Sequence, residues 1–185
     1  MMRLLCAMLL CAAPVAAQSP LPFDVGGPFA LTNQYGQART QVDPNGNPQL
    51  LFFGYANCPG ICSAALPLMA DVVDNLTAQG LAISPVMITV DPTRDTVENM
   101  GAVLAKYHPA IVGLTGTSAS LDIAYKAFFV DHALAYEDPE YGPVYAHGSL
   151  IYLLDGNGEV LTLIPPVMDA QKATQVALKY VGQDS

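Results

Sequence analysis

Residues Gln49 to Tyr55 read QLLFFGY, an apolar run of strand length without polar alternation. A strand with one wet face alternates apolar and polar side chains, so an unbroken run belongs to a strand covered on both faces. That demands helices above and below a central sheet. The next segment supplies one, because Ala65, Leu66, Met69, Val72, Val73 and Leu76 recur at helical spacing from Cys62 to a stop at Gly80. Leu81 to Val90 and Ile111 to Leu114 are further buried-strand candidates. Between them Asp95-Thr96-Val97-Glu98 has the form of a capping box, with Asp95 as cap, opening a helix to about Tyr107. Ser118 is placed as the cap of a helix over Ala119 to Phe129, and Asp131 to Tyr145 reads as an irregular, acidic and aromatic stretch. Ser149 to Leu154 and Glu159 to Ile164 flank the turn Asp155-Gly156-Asn157-Gly158 as a hairpin, and an amphipathic helix over Asp169 to Tyr180 follows. Upstream, Phe29 to Thr32 and Asn33-Gln34-Tyr35-Gly36 predict a short strand and turn.

This order predicts an α/β class: a central mixed sheet flanked by helices, with an N-terminal β extension. It contains the thioredoxin order of βαβ, a connecting helix and a ββα end. With 185 residues, 52% of them hydrophobic and 12% charged, the chain fits one domain with a real core. A net charge of -9 argues against a basic patch for nucleic acid or an anionic membrane, and the protein is expected to act as a monomer.

The chain begins MMRLLCAMLLCAAPVAAQSP. Arg3 gives a positive start, Leu4 to Ala17 is apolar, and Val15-Ala16-Ala17 is the small-residue pattern of a cleavage site. The run is shorter than the roughly 20 residues a helix needs to span a bilayer. The expectation is a signal peptide at 1–17, a leader at 18–26 and an exported, soluble domain at 27–185; an uncleaved inner-membrane anchor is the alternative. Leucines precede Cys6 and Cys11, where a lipoprotein acceptor has a small residue, so both are expected to leave with the signal.

Cys58 and Cys62 then form the whole mature cysteine content, at the seam between strand and helix. A bridge closing so small a loop would constrain little of the domain. A thiol at a helix start meets unpaired N–H groups and the positive end of the dipole, which favour thiolate. Residues four apart across a regular helical turn hold their Cβ atoms about 5–6 Å apart. A disulfide needs about 3.8 Å, whereas two thiolates on one metal, at bonds of about 2.3 Å, suit the wider gap. Pro59 suits a first helical turn. The spacing favours a metal and leaves a redox use open.

Three histidines are available as a third donor. His108, before Pro109, is read as a solvated cation at a helix end, and His132 as a peripheral or transient ligand. His147 lies in YAHGSLIYLLDGNGEV, just before the hairpin strand. In the thioredoxin order that loop packs against the cysteine turn, which selects His147. Two thiolates and one imidazole are one protein ligand short of a closed zinc site. They suit Cu(I), with room for a further ligand to Cu(II). Met69, Met87, Met100 and Met168 each lie in or beside an apolar run and are assigned to the core. In VDPTRDT, Asp91, Arg94 and Asp95 read as a strand end, an ion pair and a helix cap near the cysteine face. Glu137, Asp138 and Glu140 make an acidic loop, either solvated or a docking surface for a basic partner.

FFGYANCPGIC, ITVDPTRDT, IVGLTGT and AHGSLIYLLDGNGEV, in this order over roughly Gly27 to Pro166, resemble successive blocks of the Sco/SenC family of thioredoxin-fold copper proteins. The resemblance implies a periplasmic metallochaperone for copper, with Cys58, Cys62 and His147 as its ligands. It implies delivery of copper to, or reduction of the cysteines of, the binuclear copper site in subunit II of cytochrome c oxidase, alongside other periplasmic copper chaperones. A thiol-disulfide oxidoreductase using Cys58 and Cys62 as a redox pair is the alternative. Ala146 stands where the family commonly has Asp, Ala56-Asn57 where it often has Thr-His, Gly60 where an acidic residue is common, and Ser63 where Pro is frequent. These departures leave all three ligands in place and point to a divergent branch.

Overall fold

The structure is a computed structural model describing Leu21, residues 24–60 and residues 62–181. The expected signal peptide, with Cys6 and Cys11, lies outside the described residues. In chain order the elements are β1 (Leu31–Asn33), β2 (Ala38–Arg39), β3 (Gln49–Gly54), α1 (Cys62–Thr77), β4 (Ser84–Thr89), α2 (Met100–Leu104), β5 (Val112–Thr115), α3 (Ser118–Ala127), β6 (His132–Asp138), β7 (Gly142–His147), β8 (Ile151–Leu154), β9 (Val160–Ile164) and α4 (Ala170–Val181). Among the described residues no helix is long and apolar enough to cross a membrane.

Seven strands form one sheet in the order β2-β1-β5-β4-β3-β8-β9. Strands β3, β4 and β5 run parallel, while β8 joins β3 and β9 joins β8 antiparallel. Antiparallel β1 extends the β5 edge and carries β2 outside it, which is the mixed sheet and N-terminal extension the sequence predicts. All six residues of β3 are buried, as the run without alternation requires. Its consecutive aromatics serve opposite faces. Phe53 packs edge-on against Tyr125 and Tyr152 and beside Phe128, and Phe52 packs against His147. Burying each ring contributes about 2–3 kcal/mol. On the α1 side, Asn75 Nδ2 donates to Thr174 Oγ1 at 3.1 Å and ties α1 to α4. Pro67 lies inside α1; lacking an N–H, it offers the Ser63 carbonyl no helical donor.

Three local expectations are corrected. The stretch 131–145 lies in an antiparallel hairpin, β6–β7, forming its own two-stranded sheet with a register shift between Leu134 and Tyr136. The capping box at Asp95 does not form: α2 starts at Met100, and the Asp95 carboxylate turns inward. The cap of α3 is Thr117, whose hydroxyl accepts from the Ser120 N–H, one residue before the expected Ser118.

Helix α3 closes with a Schellman motif, in which Val130 N–H donates to the Tyr125 carbonyl (2.8 Å) and Phe129 N–H to that of Lys126 (3.3 Å). The left-handed position in this motif is usually glycine. Here it is Phe129, at φ 53°, which holds its ring 69% exposed beside the start of β6.

Candidate metal site

The chain leaves β3 at Gly54 and turns before α1 begins, with Cys58 N–H donating to the Tyr55 carbonyl at 3.2 Å. Cys58 and Pro59 stand in this turn, ahead of the helix, and Cys62 is the first residue of α1. With Cys58 ahead of α1 and Cys62 at its first residue, the pair does not share a regular helical face. Cys58 is 7% exposed and Cys62 fully buried.

His147, the last residue of β7, comes from the far side of the sequence. Its Nε2 lies 3.9 Å from Cys58 Sγ and 3.6 Å from Cys62 Sγ. Its Nδ1 lies 2.8 Å from the Gly148 carbonyl. A carbonyl only accepts, so Nδ1 carries the proton and the Nε2 lone pair faces the sulfurs. Phe52 and Tyr55 each meet the imidazole edge-on at 5.8 Å and hold its plane.

The two thiols are unequal. The Cys62 S–H donates to Cys58, which holds the Cys58 thiol well below its ordinary range against the opposing effect of burial. The backbone N–H groups of Cys62 and Gly60 add to the same effect. Cys62 is pushed up, first by holding that hydrogen bond and then by burial. Tyr55 is pushed up by burial, and its hydroxyl, which accepts from the Tyr145 N–H (3.2 Å), also bonds Cys58.

The support of this cluster is the part that sequence reasoning missed. Arg94 pairs with Asp91 through Nε, as expected, but its other two nitrogens donate to the Tyr141 and Pro143 carbonyls at 2.6 Å. The guanidinium also lies 5.5 Å over the Tyr55 ring. It thus fastens the β6–β7 hairpin, and with it His147, to the β4 end of the main sheet. The Asp95 carboxylate accepts from Ala56 N–H (3.0 Å) and from the Thr89 hydroxyl (2.7 Å), anchoring the stretch before Cys58. Both contacts depend on tertiary pairing and leave no local sequence mark.

Other candidates lie elsewhere. His108 accepts from Ala110 N–H at Nδ1, so its Nε2–H faces Asp74 on α1 at 3.3 Å; it is an inter-element contact, not a free cation. Met69, Met87 and Met100 are fully buried and Met168 packs against the core, as assigned. Asp138 spends its carboxylate on the Glu140 and Tyr141 N–H groups of the hairpin turn. His132 stands across the hairpin from His147, outside the three-donor cluster.

Among the described residues, Cys58, Cys62 and His147 are the one group with donor atoms placed to share a metal, all within 4.8 Å of one another. Metal bonds of about 2.3 Å to sulfur and 2.0 Å to nitrogen put those atoms roughly 3.5–3.8 Å apart at tetrahedral to trigonal angles. The observed 3.6 Å falls within this range, and 3.9 Å lies just beyond it. The SCO1/SenC family model matches residues 17–182. A SCO2-like protein of Rickettsia conorii is 35% identical over 154 residues, spanning 80% of this chain and 74% of its own. The crystal structure of Arabidopsis thaliana ScoI with copper bound is similar at TM-score 0.79 and 28% identity, covering 86% of this chain and 99% of that one. Bradyrhizobium japonicum ScoI with copper bound is similar at TM-score 0.74 and 30% identity, covering 84% and 99%.

Proposed function

The chain belongs to the SCO1/SenC family, and on that premise we propose that it is a metallochaperone that carries one copper ion on Cys58, Cys62 and His147 to the binuclear copper site of a respiratory cytochrome c oxidase. The observation that carries this reading is the Nε2 lone pair of His147, 3.6 and 3.9 Å from two buried sulfurs. Sulfur-rich trigonal donors are the preferred surroundings of Cu(I), and Cu(II) would take a further ligand beside them. Cys58 is already biased to thiolate, the form that binds metal. The expected place of action is the bacterial periplasm, after cleavage behind Ala17. N-terminal sequencing of the exported protein separates that from a retained anchor.

The test is an anaerobic copper titration of the reduced protein. One equivalent should bind, with binding lost in Cys58→Ala and Cys62→Ala and weakened in His147→Ala. Unchanged affinity and spectrum in His147→Ala would remove the third donor from the site. The inequality of the thiols favours a second reading, a reductase for the oxidised client. The Cys58 thiolate attacks a client disulfide, and Cys62, losing its proton, then displaces the client. One disulfide forms here as one is reduced in the client, and two electrons pass. Turnover on an oxidised client with a dithiol donor and no copper supports this use; failure to cycle removes it.

A further inference from the structure

His132 takes no part in the three-donor cluster, yet in the β6–β7 register it is the direct partner of His147. Directly opposed residues of an antiparallel pair point to the same face with Cβ atoms about 4.5–5.5 Å apart. From that spacing two imidazoles can reach one ion at metal–nitrogen bonds of about 2.0–2.1 Å. The His132 ring rests against Tyr125, with centroids 4.5 Å apart, and Tyr125 is fixed by its hydroxyl donating to the Thr89 carbonyl at 2.7 Å. A depression of about 450 Å³ holds both histidines and Asp131, with Phe129 as its exposed wall. Asp131 adds negative charge and an oxygen donor where a cation would enter. Both cysteines are more buried than the exposed His132, so an incoming ion meets the imidazole before the sulfurs.

We propose that His132 is a second copper-binding imidazole, resting on Tyr125 and swinging across the strand pair to share the ion with His147 as it enters or leaves the two thiolates. This rests on the copper reading above. The step is a ligand substitution: the neutral His132 ring nitrogen forms a bond to the ion as one bond from the ion to its external carrier breaks. The ion keeps its charge and no electron moves. Phe129, held in its strained turn, keeps an apolar wall beside the polar mouth.

The test uses the full chain carrying Cys58→Ala and Cys62→Ala, titrated with Cu(II) and followed by electron paramagnetic resonance. The expected complex shows coupling to two nitrogens; adding His132→Ala should leave one and weaken binding roughly tenfold or more. Identical coupling and affinity with and without His132 would overturn the proposal. With both cysteines present, His132→Ala should leave the final copper affinity within about twofold and slow uptake from a copper chelate roughly tenfold. Equal uptake rates would equally overturn it. If the unaltered chain binds no copper through its thiolates while the cysteine-free chain still gives the two-nitrogen signal, the thiolate reading fails and the histidine pair stands. His132 is exposed, so its removal leaves the core intact.

Discussion

A Cβ on Gly54 would stand 2.8 Å from Cys62 Sγ and 2.5 Å from Cε1 of Phe52. The end of β3 thus touches the Cys62 sulfur through the absence of a side chain. Gly54→Ala should fold with a loss of about 1–3 kcal/mol, the usual cost of overpacking. Because the methyl group pushes the sulfur away from His147, copper affinity should fall more than stability does. Urea unfolding and copper titration measure the two separately. Unchanged affinity in a folded variant would show that sulfur and strand can part freely.

Arg94 holds two carbonyls of the β6–β7 hairpin as well as the buried Asp91. Arg94→Ala takes the guanidinium from that carboxylate, which keeps the Thr93 hydroxyl, and frees the hairpin, with an expected cost of about 2–4 kcal/mol. Arg94→Lys should recover only part of it, since a single ammonium cannot reproduce the guanidinium fork. Hydrogen exchange should rise first in β6 and β7, and copper affinity should drop with it. Exchange that rises uniformly over the domain would assign Arg94 a general role instead.

The lowered Cys58 thiol links stability to pH in the reduced, metal-free protein. Its folded form binds a proton less tightly than an ordinary thiol near about 8.5, so its contribution is full above that value. It shrinks as pH falls and is gone below the lowered folded value. Ultraviolet absorbance should report one thiolate at neutral pH, absent in Cys58→Ser. Cys62→Ala removes the S–H donor and should move the midpoint upward. A protein with no thiolate at neutral pH would contradict the assigned hydrogen bond.

Asp95 acts with the opposite sign. Burial pushes its carboxyl up, so its contribution is greatest below the ordinary carboxylate value near about 3.9. It declines as pH rises through the raised folded value. Asp95→Ala orphans the Ala56 N–H and the Thr89 hydroxyl and should cost about 2–4 kcal/mol. Asp95→Asn keeps an acceptor and should cost less. Calorimetry across acidic pH gives both the losses and the sign.

The central strand, the helix after it and the three-donor cluster were legible because each leaves a local mark: a run without alternation, a helical period, and rare donor residues at strand and helix ends. The β6–β7 hairpin left none. Nearly every residue of β6 is exposed, so no buried face imprinted a period of two on the sequence. Asp95 was misread for a related reason. Its spacing to Glu98 spells a cap, but the buried Ala56 N–H and Thr89 hydroxyl claim the carboxylate. Arg94 was legible as one half of an ion pair, while its hold on Tyr141 and Pro143 depends on residues 47 and 49 positions away.

A separation of 85 residues between Cys62 and His147 also sets an order of events during synthesis. A chain grown only as far as β5 already owns both thiols and has no β7 to bring them an imidazole. At that stage it can exchange disulfides but cannot assemble the three-donor cage. A three-donor cluster can thus form only once the sheet and hairpin are complete, so its presence reports that the fold is finished.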